Sequence, residues 1–362
     1  MMRYVTEYRD IERVSALSRE ISQVAGGRPM TFMEVCGTHT MAIARFNVRS
    51  LLPGGMRLIS GPGCPVCVTP NACLDRAVAI ARLPDTTLCT FGDMIRVPGS
   101  STSLERERAA GLDIRVVAST LDALSFARKE PSRSFVFLGV GFETTAPTIA
   151  SSIIKAAQEG LENYSVLSAC KRVMPALEAL LSGPVELDGF LLPGHVSAII
   201  GASAYRDLLA QRCKAGAVAG FEPTDILEGL LSLAKQVAGE KPELSNPYAR
   251  AVSEEGNSKA LSVMDEVFEP CSANWRGLGE IPGSGLRIRG TFGRFDASAR
   301  FDVEVEPEKE PAGCRCGEVL TGRISPSECP LFGKACTTEN PVGSCMVSSE
   351  GTCAALYKYR NS

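Results

Sequence analysis

The chain has 362 residues, 44% of them hydrophobic and 22% charged, an ordinary globular composition and enough length for two or three domains. Its formal net charge of −3 gives no electrostatic reason to expect nucleic acid or an anionic membrane as partner. No run approaches the roughly 18–20 apolar residues of a membrane span. Fourteen cysteines stand against two histidines, His39 and His195. In a long chain whose charged start does not read as a secretory leader, this means cytoplasmic thiol chemistry rather than a disulfide scaffold. With so little imidazole, metal ligation is expected to be all-thiolate.

The first residues, MMRYVTEYRDIERVSALSRE, read as an amphipathic helix with Val5, Ile11, Val14, Leu17 and Ile21 on one stripe. This helix (1–30) is expected to pack on the C-terminal domain. From about residue 31 to 225 one pattern repeats: a short apolar run, a Gly/Pro loop with polar or thiol groups, then a helix-like segment. The runs are Phe32–Val35, Arg57–Ile59, Thr87–Thr90, Ile114–Ala118, Phe135–Val140, Tyr164–Ser168, Gly189–Leu192 and Ala217–Ala219. Such alternation predicts parallel α/β architecture, and continuous apolar runs such as VFLGV and GFLLP fit strands buried on both faces. Two groups of four runs give two α/β domains, 31–130 and 131–240. The likeness of VCGTHTMAIA to GFETTAPTIA, and of GPGCPVC to LPGHVS, points to two similar halves facing a cleft lined by strand-end loops. Residues 241–362 follow as a polar connection with a small irregular or β section, then a cysteine-dense tail.

The tail carries Cys314, Cys316, Cys329, Cys336, Cys345 and Cys353 on loops rich in Gly and Pro. Thiolates on loops around an inorganic core are how Fe–S clusters are held, and the paired CxxC knuckles usual for structural zinc are missing. A [4Fe–4S] cluster is therefore expected, with Cys329, Cys336 and Cys353 as ligands. The fourth place falls to Cys345 or to one of Cys314 and Cys316. GPGCPVCVTP puts Cys64 and Cys67 between a strand and a helix start, where a CxxC pair can close a disulfide ring and one thiol's pKa is lowered; two buried thiols in a tight turn is the plainer reading. MEVCGTHTMA places Cys36 and His39 at a strand end, as nucleophile or metal ligand with an imidazole beside it, or as a packed thiol and a satisfied histidine. Gly37 would leave room there for cargo. Asp93, Glu143, Thr144, Thr145, His195 and Glu222 recur at strand ends, either lining the cleft or capping helices. No glycine loop matches a nucleotide fingerprint. Cys73, Cys89, Cys170, Cys213 and Cys271 have no partner in sequence, and most read as buried thiols.

The motifs MEVCGTHTMAIARF, LISGPGCPVCVTP, TFGDMIRVPGS, GVGFETTAPT, LPGHVSAIIG, GFEPTDIL and CPLFGKACTTENPVGSCMVSSEGTCAA, in this order over about residues 31–357, resemble the HypD family. The tail departs from the family's proline-containing form at Thr338, sparing every cysteine. The resemblance implies a scaffold on which the Fe(CN)2CO unit of [NiFe]-hydrogenase is assembled, working with a HypC-type chaperone and taking cyanide from the HypE/HypF system. It implies Cys36 as thiolate ligand of that transient iron with His39 beside it, Cys64 and Cys67 as a redox pair, and the tail cluster as an electron relay. A thiol–disulfide oxidoreductase fed by a cluster, similar in logic to ferredoxin:thioredoxin reductase, is the alternative. Cys36 separates the two, since a reductase does not need it.

Overall fold

All eight apolar runs form strands in the computed structural model, which describes residues 6–359. They are β1 Met30–Glu34, β2 Met56–Ser60, β3 Thr86–Thr90, β4 Ile114–Val116, β5 Ser134–Gly141, β6 Tyr164–Cys170, β7 Gly189–Pro193 and β8 Ala215–Ala219, followed by a short β9, Leu244–Ser245. The first sheet runs β2-β1-β7-β8-β9 and the second β4-β3-β5-β6, every pairing parallel. Residues of β7 and β8 are buried throughout, which is why their sequences are continuously apolar rather than alternating. A separate antiparallel hairpin joins β10 Phe268–Trp275 to β11 Gly279–Ile288, the β section expected after residue 240. Among the described residues no helix is long and apolar enough to cross a membrane.

Two parallel α/β sheets were expected, but they do not divide the chain at residue 130. The first sheet takes β1 and β2, leaves the second to be built by β3–β6, and is completed when β7 pairs with β1 through Phe32↔Gly189 and Glu34↔Leu191. Apolar runs report strands, not neighbours, and a parallel pair needs a long crossover without an upper limit on what that crossover contains. Counted in chain order, the strands of the second sheet lie 2-1-3-4 and those of the first lie 2-1-3-4-5, the same order with β9 added at the edge. By that order β1 matches β3, and β7 matches β5. VCGTHTMAIA leaves β1 and GFETTAPTIA leaves β5, which are not matching places, so their likeness does not mark the repeat.

The N-terminal helix also departs from expectation. Ile11–Ala25 packs on Pro223–Ala238 beside the first sheet, not on the C-terminal tail. Val14, Leu17 and Ile21 join the apolar cluster formed there with Ile226, Leu227 and Leu230, Ile11 is 80% exposed, and Val5 lies outside the described residues. Arg9 to Glu222 at 2.5 Å, Lys235 to Glu20 at 2.7 Å and Arg13 to Glu228 flank the contact. Exposed pairs contribute about 0–1 kcal/mol each, so the apolar stripe holds the helix. The tail instead folds over the first sheet: its last described helix, Thr352–Tyr359, lies along Gly37–Arg45.

Candidate metal and thiol site

Open parallel sheets form a crevice where strand order reverses. In the first sheet that point lies between β1 and β7, in the second between β3 and β5. The loops leaving these four strands carry Cys36 and His39, His195, Asp93, and Glu143 with Thr144.

Cys36 is the N-cap of the helix Gly37–Arg45. Its backbone N–H donates to Glu34 Oε2 at 3.1 Å, and the next N–H, of Gly37, donates to the Gly63 carbonyl at 2.8 Å. A Cβ on Gly63 would stand 2.2 Å from the Cys36 nitrogen, so glycine there lets the GPGCPVC loop lie against Cys36. Burial pushes the Cys36 thiol up to about 12, against backbone N–H groups of His39 and Thr38 that favour the thiolate. A bound cation is what would draw its proton off.

Glu350, from the tail, was not anticipated at this site. Thr38 Oγ1 donates to Glu350 Oε1 at 2.7 Å, and a Cβ on Gly37 would meet Glu350 Cβ at 2.5 Å. The room expected beside Gly37 is thus filled by this side chain. Burial raises the Glu350 carboxyl, and the exposed Asp93 of the second sheet adds like-charge repulsion. Only the fold brings residues from opposite ends of the chain together, and no spacing rule reports it.

His39 is fully buried. Its Nε2–H donates to the Gly220 carbonyl at 2.8 Å, while Nδ1 has no partner among the described residues. Burial lowers its pKa to about 4, so the ring is neutral near physiological pH and offers Nδ1 as an acceptor. Phe221 packs on both imidazoles, with centroids 4.8 Å from His39 and 4.0 Å from His195.

Cys64 and Cys67 flank the start of the turn Pro65–Val68, where Cys64 Sγ accepts the Cys67 N–H at 3.2 Å. Both are buried, and burial raises the Cys67 thiol well above its usual range, whereas a lowered thiol was expected at such a helix start. The tail reaches this turn directly: Ser344 Oγ donates to the Cys67 carbonyl at 3.1 Å, and the Cys345 thiol is within hydrogen-bonding reach of Cys67. Arg276, on the hairpin, clamps the same turn. It donates to the carbonyls of Cys67 at 3.2 Å and Thr69 at 2.9 Å, to Asn71 Oδ1 at 2.6 Å and to Glu310 at 2.6 Å.

All six tail cysteines line one small pocket, whose other walls are Val319, Leu331, Phe332, Gly343 and Met346. Cys316 Sγ and Cys345 Sγ are 2.7 Å apart, and the Val342 N–H donates to Cys336 Sγ at 3.4 Å. Among the described residues no three potential ligands surround a common point as a single ion requires. A cube spreads four thiolates over four irons and needs a thiol-lined, apolar pocket instead. The donor set, all sulfur with no imidazole or carboxylate, fits such a cluster.

The remaining predicted residues differ in kind. Glu222 pairs with Arg9 and caps Pro223–Ala238 together with Asp225, and Thr144 is exposed. Of the unpartnered cysteines, Cys89 and Cys170 are buried, Cys73 and Cys271 are partly so, and Cys213 is exposed. Glu143 accepts the Val173 N–H at 2.9 Å through Oε1, while its buried Oε2 has no partner among the described residues. Burial raises its carboxyl from 4.5 to about 7. The folded state therefore keeps a proton that the unfolded chain releases near 4.5, and this group's contribution to stability falls as pH rises through that window, then levels off above about 7. The stability of Glu143→Gln relative to the parent is expected to rise by about 2–3 kcal/mol across the window. Urea midpoints of both proteins at its two ends measure this.

Fold and site together define a class: a two-sheet α/β protein in which a strand-end thiol, a CxxC turn and a thiol-lined pocket converge. The HypD family model, described as "Hydrogenase formation hypA family", matches residues 12–360. The chain is 45% identical to the hydrogenase maturation factor HypD of Rhodobacter capsulatus, over 99% of this chain and 98% of the relative. It is 45% identical to that of Cupriavidus necator, over 99% and 97%, and 42% to that of Escherichia coli K12, over 99% and 98%. The chain belongs to the HypD family.

Proposed function

We propose that the protein is a hydrogenase maturation factor that holds the Fe(CN)2CO unit on Cys36 while it is put together. One observation carries the reading: three kinds of thiol site, drawn from opposite ends of the chain, meet at the carboxyl end of the first sheet. The names of its relatives support the coarser part of it. Low-spin iron bearing cyanide and carbonyl suits a soft thiolate. On binding, the Cys36 S–H bond breaks, its proton is released to water and its sulfur becomes the ligand, in a loop whose backbone N–H groups already point at that sulfur. His39, neutral with Nδ1 open, can accept a hydrogen bond; cyanide and carbonyl carry no donor, so its partner would be a water or an N–H or O–H group of a partner protein rather than the cargo itself. Asp93 and Glu350 crowd the same space and repel anions that approach without iron.

Cys329, Cys336 and Cys353, with Cys345 or one of Cys314 and Cys316, would hold a [4Fe–4S] cluster, which when bound supplies single electrons. Cys64 and Cys67 would form a two-electron store: two S–H bonds break, one S–S bond forms, two protons pass to water, and two electrons pass one at a time through the cluster to an external electron acceptor. Assembly on this scaffold together with a HypC-type chaperone, with cyanide from the HypE/HypF pair, in the cytoplasm, completes the reading. A thiol–disulfide oxidoreductase is the second reading, favoured by the contact of Cys67 with Cys345.

Anaerobically purified protein is expected to show the infrared stretches of cyanide and carbonyl on iron and about four further irons, which Cys329→Ala, Cys336→Ala or Cys353→Ala removes. A full cluster retained in any of the three would overturn the ligand set. Absence of the infrared bands from protein produced with its maturation partners would leave the oxidoreductase reading.

A further inference from the structure

A second pocket lies between β2 and the tail, and among the described residues no cysteine lines it. We propose that it binds a small organic anion carrying carboxylate or phosphate oxygens. A cavity of about 220 Å³, open on one side, is bounded by three guanidinium groups, Arg49, Arg57 and Arg323, and a single carboxylate, Glu328.

The charges are not spent on one another. Glu328 Oε2 accepts the Ser325 N–H at 2.7 Å, capping its own turn. The Arg57 side chain has no hydrogen-bond or ion-pair partner among the described residues. Arg323 feels Glu318, but that carboxylate is already held by Arg315 at 2.5 Å. Arg49 is fixed by two bonds, Nε to the Leu58 carbonyl and Nη2 to Ser60 Oγ, both 3.0 Å, which leaves Nη1 free. A guanidinium held in place gives up little entropy when an oxyanion docks on it, and its planar fork matches carboxylate and phosphate geometry. Three guanidinium groups, of which Arg49 alone is held and also feels the buried Glu34, against one engaged carboxylate on the wall favour an anion over a cation as ligand. Leu58, Ile59 and Ile324 on the walls suit a ligand with a short apolar body rather than a bare ion. The pocket is also close to Cys36 by bonds: Ser60 reaches Glu34, which accepts the Cys36 N–H.

Isothermal titration calorimetry on the full-length protein, at constant ionic strength, tests the site with inorganic phosphate and a panel of mono-, di- and tricarboxylates. Single-site binding is expected for at least one of these probes. Arg57→Ala and Arg323→Ala, both at exposed positions, are each expected to weaken it at least tenfold, with thermal melts in plain buffer unchanged. Binding should persist in Cys36→Ser, so the outcome is independent of what Cys36 carries. The proposal is overturned if no probe binds at millimolar concentration. It is equally overturned if binding is diffuse and salt-screened, or stays within twofold of the parent in the Arg57→Ala, Arg323→Ala double variant.

Discussion

Cys36→Ser is expected to abolish hydrogenase maturation and the cyanide and carbonyl infrared bands while leaving the fold and the tail cluster in place. The selectivity follows from where Cys36 stands. It is an N-cap with extended backbone, φ −144° and ψ 123°, and its side chain makes no capping hydrogen bond. Serine is among the best residues for such a position, where a hydroxyl in place of an apolar side chain gains typically ~1 kcal/mol. That gain offsets the cost of placing a hydroxyl in a buried site, so the melting temperature should move little. Glu34 and Gly63 contact the backbone of residue 36 rather than its sulfur, and a side-chain change leaves those contacts intact. On the proposed reading iron binding would depend on the sulfur, because a serine hydroxyl is a poor ligand for soft, low-spin iron. Iron analysis, infrared spectra and thermal melts on one preparation decide the matter. If Cys36 were a structural thiol, the melt would fall and the extra iron would stay. Bands at parental intensity in Cys36→Ser would remove the scaffold mechanism and advance the oxidoreductase.

Much of this arrangement can be read from the residues, and the limits are instructive. Strands were legible because buried parallel strands leave unbroken apolar runs, and all eight appear within a few residues of the expected positions. The thiol motifs were legible because cysteine is rare enough for its spacing to carry meaning. Strand order was not legible. Nothing in β1 specifies that β7, more than 150 positions later, will be its second neighbour. The same blindness hid Glu350, which reads as one more surface acid in VSSEGTC until the tail is laid on Gly37. It also hid Arg276, whose importance lies in four partners on two separate segments, residues 67–71 and Glu310. Local propensity misled in one place: the CxxC turn does precede a helix, but burial outweighs the helix N-terminus and raises the Cys67 thiol. Glu222 illustrates the reverse, a strand-end carboxylate whose modest capping role is what the structure displays.

Arg276→Ala is expected to destabilise the protein by about 3–5 kcal/mol and to expose the CxxC turn. The guanidinium is 4% exposed, and its backbone N–H also bonds the Val68 carbonyl at 2.9 Å. Removing the side chain leaves the Thr69 carbonyl and Asn71 Oδ1 buried without this donor, while Cys67 keeps only the Ser344 hydroxyl. Glu310 is half exposed and returns to water at little cost, so the loss comes from the stranded carbonyls and amide, not from the ion pair. Those groups all lie between Cys67 and Asn71, so the turn itself should open before the sheets do. An opening made easier by about 3 kcal/mol raises the population of the open turn by about 100-fold. Alkylation of Cys64 and Cys67 under native conditions, followed by mass spectrometry, should accelerate by that factor, with Cys89 and Cys170 in the second sheet as buried internal controls. Arg276→Lys keeps the charge but not the fork that spans Cys67, Thr69, Asn71 and Glu310, and is expected to recover only a small part of the protection. If both variants protect the pair as the parent does, the turn is held by the tail through Ser344, and the hairpin β10–β11 has no part in presenting the CxxC thiols.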